Sequence, residues 1–194
     1  MRKLWLCLPM MMLLLTGCGQ TGVSEAEETA LAIRGEYLGM EGCTTQLAIT
    51  VDYGQRVYQY EMEAKQTKED ISITYLAPET VEGMTAHFVG EDGKLEYDGV
   101  WVETGKLDRD GLAPVSAFPA FLEAARSGYM SSCALEEETS LLRVDYRDPE
   151  GSPGSGREIV LWFDPSDHTL TKGEISVDGF RVIDCQFTGF TKTT

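Results

Sequence analysis

Outside the N-terminal segment, the residues whose types could carry chemistry are His87, His168, Cys43, Cys133, Cys185 and a glycine-rich run at 151–156. A metal centre needs ligands at short, matched spacings, such as two histidines one helical turn apart. His87 and His168 stand far apart in the chain, so no metal site is expected. His87 falls on the polar side of an alternating segment beside Thr85 and Val89, and His168 sits in the turn Pro165-Ser166-Asp167-His168. Both read as surface histidines. Gly151-Ser152-Pro153-Gly154-Ser155-Gly156 lacks the lysine and following helix of a phosphate-binding loop, and reads as a flexible connection. Cys185 alternates with Ile183 and Phe187 on an apolar face, where a thiol acts as a small hydrophobe. Three cysteines allow at most one internal disulfide and leave at least one thiol over. Among 32 acidic residues some carboxylate pair will lie at glycosidase distance by chance, so proximity alone argues nothing. No catalytic residue, metal or cofactor is expected, and the chain does not read as an enzyme.

Cys18 is different. Arg2 and Lys3 are followed by Leu4 to Leu15 with almost nothing polar, then Thr16-Gly17-Cys18. That is a charged start, an apolar stretch and a small-residue cleavage site, as in a secretory signal. The stretch is too short to span a bilayer as a helix. Leu15-Thr16-Gly17-Cys18 resembles the lipobox of bacterial lipoproteins. The resemblance implies that residues 1–17 are removed and that Cys18 is acylated, tethering the chain to the extracytoplasmic face of a bacterial membrane in the cell envelope.

Such cleavage leaves 177 of the 194 residues, enough for one domain with a sizeable core. Residues 18–23 are the anchor and a small, polar spacer, and 24–194 the domain. Loss of Arg2 and Lys3 leaves 14 basic against 32 acidic residues, a net charge of −18. A chain so acidic repels nucleic acid and anionic headgroups, so membrane attachment has to come from acyl chains. The charge keeps the domain soluble or complements a basic partner.

The elements are read from periodicity. Ser24-Glu25-Ala26-Glu27 forms a capping box, and Ala26, Ala30, Ile33 and Tyr37 line one face of a helix that Gly39 stops. Its exposed face is expected to carry Glu25, Glu27, Glu28 and Arg34. The period then switches to two. Leu47 to Tyr53 and Tyr58 to Ala64 alternate across Gly54-Gln55; Ile71, Ile73 and Tyr75 follow, with Pro78 as terminator. Met84, Ala86 and Phe88 lead through Glu91-Asp92-Gly93 to Leu95 and Tyr97, then through Asp98-Gly99 to Val100–Val102. Pro114 to Ser127 carries Phe118, Phe121, Leu122 and Ala125 at helical spacing; Pro119 predicts one or two short turns in series. Strands resume with Leu142, Val144 and Tyr146. After the loop at 148–156 come Ile159 to Phe163, apolar on both faces, and Gly173 to Val177, paired across Asp178-Gly179 with Ile183 to Phe187. Each of the other strands has one apolar and one polar side, as an antiparallel meander with one wet face requires.

Helix, long meander, helical insertion and closing meander resemble the LolA/LolB-like lipoprotein carrier superfamily, including the GerS-like germination lipoproteins. Tyr75-Leu76-Ala77-Pro78, the run from Asp92 to Gly99, Leu161-Trp162-Phe163-Asp164 and the run from Ile175 to Gly179 carry the likeness. The resemblance implies a mainly β (α+β) fold: a curved antiparallel half-barrel, with the N-terminal helix and a short helical insertion covering its concave face. It also implies a cavity for acyl chains, with Tyr58, Tyr60, Met62, Phe88, Tyr97 and Phe187 large enough to line it or to fill it. Two functions are open. The domain binds an acyl chain, a lipid or a lipoprotein cargo; or it is a tethered, non-enzymatic scaffold that recruits an envelope or spore-cortex partner, for which the GerS likeness implies a cell-wall amidase.

Overall fold

Ser24 caps the first helix, α1 (Glu25–Gly39), through both halves of the expected box. Its Oγ accepts from the Glu27 N–H at 3.2 Å, and the Glu27 carboxylate accepts from the Ser24 N–H at 2.9 Å. Ala30, Ile33 and Tyr37 are buried as their spacing predicts. Arg34 does not join the exposed acidic face: its guanidinium donates to the carbonyl of Gly128, tying α1 to the end of the second helix. The long arginine stem reaches where the helical wheel alone does not place it. The computed structural model describes residues 24–90, 92–106, 108 and 110–193. The expected signal, Cys18 and the spacer lie outside these.

Two meanders follow. The first runs β1 (Gly42–Asp52), β2 (Val57–Gln66), β3 (Asp70–Ala77), β4 (Thr85–Val89), β5 (Asp92–Tyr97) and β6 (Val100–Lys106). After α2 (Pro114–Ser127), the second runs β7 (Met130–Leu135), β8 (Leu142–Arg147), β9 (Arg157–Phe163), β10 (Leu170–Val177) and β11 (Phe180–Thr193). They join along β1 and β11 into one antiparallel sheet of 11 strands, in the order β6-β5-β4-β3-β2-β1-β11-β10-β9-β8-β7. The sheet stays open, with β6 and β7 at its two edges. Consecutive strands from one edge to the other are therefore linked by α2, which has to cross the sheet. Register shifts interrupt six of the ten pairings. Each such bulge bends its strand and adds twist, which curves the sheet into the expected half-barrel.

One face of this sheet holds the core. Cross-strand partners share a face, so the register aligns Ile175, Ile183, Val51 and Tyr58 in one row and Phe187, Leu47, Met62 and Tyr75 in another. Both helices lie on this concave side and seat mainly on the second meander: α1 packs on α2, β7 and β8, and α2 on β9. Gly173 shows how closely α2 approaches, since a Cβ there would stand 2.9 Å from the Phe121 ring. Trp162, on the outer face of β9, explains the run that is apolar on both sides. Lys172 and Arg143 lie over its ring at 4.6 and 5.5 Å, and its indole N–H donates to Glu136 at 2.9 Å.

Three expectations need correction. The helical insertion is one continuous helix of 14 residues, with Pro119 inside it. A proline there forfeits one backbone bond at a cost of about 3 kcal/mol, and the burial of nine α2 side chains, Phe118, Phe121 and Leu122 among them, outweighs it. Helix coverage of the concave face is also uneven, because the side chains at the β5–β6 end remain exposed. The third correction is β7, whose Met-Ser-Ser-Cys-Ala-Leu sequence shows no clean alternation. It is held by pairing with β8 and by α1 packed against it.

Glu36 at the end of α1 fastens the helix to the sheet. It accepts from Lys192 of β11 at 2.7 Å and pairs with His168 at 2.6 Å; Lys192 also donates to the Asp167 carbonyl at 2.9 Å. The Lys192 ammonium, and then His168, hold the Glu36 carboxyl below its ordinary value against the opposing effect of burial. A depressed carboxyl stabilises the fold above its unfolded-state value and ceases to do so as pH falls through the folded one. Glu36→Gln is thus expected to lower the melting temperature at pH 7, and the gap from wild type should close below about pH 4 in thermal scans.

Candidate functional site

The concave face of the first meander carries a row of tyrosines. Tyr53 and Tyr58 have ring centroids 6.1 Å apart, Tyr58 and Tyr60 are stacked at 6.3 Å, and Tyr60 meets Tyr75 edge-on at 5.2 Å. Alternation places them there: Tyr53 continues the series Leu47, Ile49, Val51, and the β1–β2 register sets Tyr58 and Tyr60 opposite Val51 and Ile49. The hydroxyl of Tyr53 donates to the Leu112 carbonyl at 2.9 Å, which ties the segment before α2 to the rim. Burial pushes the phenol of Tyr75 up to about 12 and raises those of Tyr53 and Tyr60 as well. These rings are partly dehydrated and stay neutral.

Beyond the tyrosines, the concave side of β5 and β6 is apolar, and nothing among the described residues covers it. Leu95 faces Val102, and Tyr97 faces Val100. Tyr97, Val100 and Val102 are 52 %, 63 % and 56 % exposed, on the face that elsewhere forms the core. Such a surface can hold an apolar chain along its length, with phenol groups at one side to accept or donate hydrogen bonds.

The six residues selected from the sequence all lie on the concave face, in two groups. Met62, Phe88 and Phe187 are buried in the core, and Phe187 packs edge-on against Phe121 at 5.8 Å. Tyr58 and Tyr60 are half-buried and Tyr97 is exposed, so these three remain open to a ligand. Tyr53, Val100 and Val102 belong with the open group. The same period-two alternation carries them, but periodicity does not tell which part of an apolar face a helix will cover.

A cavity of about 640 Å³ lies elsewhere, between the end of α2, β8, β9 and the loop at 148–156. Its lining mixes Glu123, Arg147, Asp148 and Arg157 with Tyr146, and none of the six residues takes part. Charges so placed suit no acyl chain.

His87 lies on the opposite, convex face, 3.3 Å from Glu96 and with its ring 5.0 Å from that of Trp101. Cys43 and Cys185 are buried, Cys133 is half-buried, and all three are free thiols. Burial raises the thiols of Cys43, to about 11, and of Cys185, opposite to the shift that activates a nucleophile. Among the described residues no three His, Cys, Asp or Glu side chains are grouped to hold a metal.

No family model and no curated protein matches the chain. Solved structures do. An uncharacterized conserved protein from Thermus thermophilus aligns with a TM-score of 0.51 at 9 % identity, over 86 % of this chain and 87 % of its own. A LolA superfamily protein from Nitrosomonas europaea aligns with a TM-score of 0.45 at 12 % identity, over 89 % and 95 %. A chain of the complex between the CwlD amidase and the GerS lipoprotein of Clostridioides difficile aligns with a TM-score of 0.43 at 14 % identity, over 90 % and 96 %. The open antiparallel half-barrel is the fold this chain adopts, and the Thermus thermophilus protein shares it.

Proposed function

We propose that this chain is a lipoprotein anchored through Cys18 on the extracytoplasmic face of a bacterial membrane, and that it binds an acyl chain or a similar apolar ligand. The ligand lies on the open part of the half-barrel, along Tyr58, Tyr60, Tyr97, Val100 and Val102. The observation that carries this reading is the exposure of Tyr97, Val100 and Val102 on a face whose other residues form the core. Contiguous exposed apolar surface is unfavourable in water unless something covers it, and its usual use is binding. A ligand held in an open trough exchanges without moving a helix, whereas a sealed cup would need a lid. The test uses chain expressed without residues 1–17 and carrying Cys18→Ala, so that no covalent acyl group contributes. Native mass spectrometry and lipid extraction are expected to find co-purifying lipid; a lipid-free protein that takes up none counts against the reading.

The second reading, a tethered non-enzymatic scaffold for an envelope protein such as a cell-wall amidase, draws on the other half of the cup. Phe118 and Phe121 of α2 fill that half against Phe187. It expects loss of activity from substitutions at the exposed Glu61 and Glu63 on the convex face, with folding intact.

The anchor has its own check. In the full-length chain, Cys18→Ala is expected to abolish acylation and leave the protein either unprocessed or released. A mutant that still partitions with membranes as an acylated mature form contradicts the lipobox.

A further inference from the structure

The two edges of the sheet differ. At one, β7 has α1 packed against it and Met130 half-buried. At the other, among the described residues, β6 pairs only with β5, and all seven of its residues are exposed, including Val100, Trp101 and Val102 at 63 %, 53 % and 56 %. Bare edges of valine and tryptophan are templates for a further strand, and proteins ordinarily blunt them. The two-residue turn at Asp98-Gly99 sets the hydrogen-bonding pattern. In such a hairpin the flanking pair, Tyr97 and Val100, bonds to itself, so Trp101 and Glu103 direct their N–H and C=O groups away from β5.

We infer that β6 is a docking edge that accepts an extended, basic and apolar segment of another protein as a twelfth strand. Charge complementarity selects this occupant. From Asp92 to Lys106 there are four acidic residues, Asp92, Glu96, Asp98 and Glu103, against Lys94 and Lys106, on a chain with a net charge of −16. On the convex side of the edge, Trp101 stands opposite Glu96 of β5, whose carboxylate meets His87, and Glu103, two residues on, stands opposite Lys94. A partner strand with lysine or arginine beside Glu103 meets a carboxylate of the edge strand itself, and its small apolar residues continue the concave row of Val100 and Val102. A second copy of this chain brings the same acidic edge and is repelled. The inference rests on edge geometry and charge, and is independent of whether the trough holds lipid.

The probe is an alternating Lys-Val peptide of about ten residues, matched to a long natural strand, with the Glu-Val peptide as its charge-reversed counterpart. Saturable binding of the Lys-Val peptide is expected in isothermal titration, with slowed hydrogen exchange at the amides of Trp101 and Glu103. Glu103→Pro removes an outward N–H without touching the ladder to β5, and is expected to weaken binding at least about tenfold with the fold unchanged. Trp101→Lys keeps the backbone template and adds a like charge, and should weaken the basic peptide comparably. No saturable binding, equal binding of the two peptides, protection away from β6, or undiminished binding by folded Glu103→Pro overturns the proposal. So does a free chain that dimerises through β6 and that Glu103→Pro converts to monomer.

Discussion

Ile175→Ala is expected to cost the domain about 2–5 kcal/mol, the usual loss for a buried isoleucine. Ile175 is wholly inaccessible and sits in the middle of β10, with Ile159 and Ile183 as cross-strand partners on either side. Its Cδ1 lies beneath the segment that enters α2, where a Cβ on Gly111 would stand 2.9 Å from it. The void left by truncation is therefore walled by two neighbouring strands and the helix approach, and has little freedom to collapse. Urea denaturation should show a lower midpoint with an unchanged slope. Val100→Ala, on the exposed concave side of β6, is the internal comparison and should change stability by less than about 0.5 kcal/mol. Equal effects at the two positions would contradict the division of the concave face into a covered core and an open trough.

The second large effect is on ligand binding. Tyr97→Glu puts a carboxylate in the proposed path of an acyl chain, at a residue that is 52 % exposed and so tolerates the change in the free protein. A desolvated charge against hydrocarbon costs several kcal/mol, enough to reduce the affinity for a fatty acid by about a hundredfold or more. The thermal midpoint should stay near that of wild type. Phe187→Glu should do the reverse and unfold the domain, because Phe187 is 7 % exposed and meets Phe118, Phe121 and Phe190. Retained affinity in folded Tyr97→Glu moves the ligand away from the trough.

Local signals were legible where one rule governs. The capping box at Ser24 needs only residues three apart, and the strands from Leu47 to Ala64 and from Gly173 to Phe187 need only alternation with a two-residue turn between them. Ile49 and Ile175 follow as core from the same pattern. Pro119 misleads because the rule against internal proline is local, whereas the burial of Phe118, Phe121 and Leu122 that overrides it is tertiary. Arg34 misleads for a similar reason: the carbonyl it reaches belongs to Gly128, 94 positions away. The candidate site lies between these cases. Alternation places Tyr58, Tyr60, Met62, Phe88, Tyr97 and Phe187 on one face, but which of them α2 covers depends on its path from β6 to β7. Strand order sets that path, and strand order carries no local signature.

On the proposed function, the concave surface at Tyr97, Val100 and Val102 holds an apolar chain. The decisive measurement is titration of a fluorescent fatty acid into the chain lacking residues 1–17, with Cys18→Ala. The expected result is saturable binding at about one site per chain, displaced by unlabelled fatty acid and lost in folded Tyr97→Glu and in a Val100→Asp/Val102→Asp double variant. Absence of saturable binding up to concentrations of about 1 mM, the weak end of specific association, together with no co-purifying lipid, would contradict it and leave the tethered partner-binding scaffold as the account of this fold.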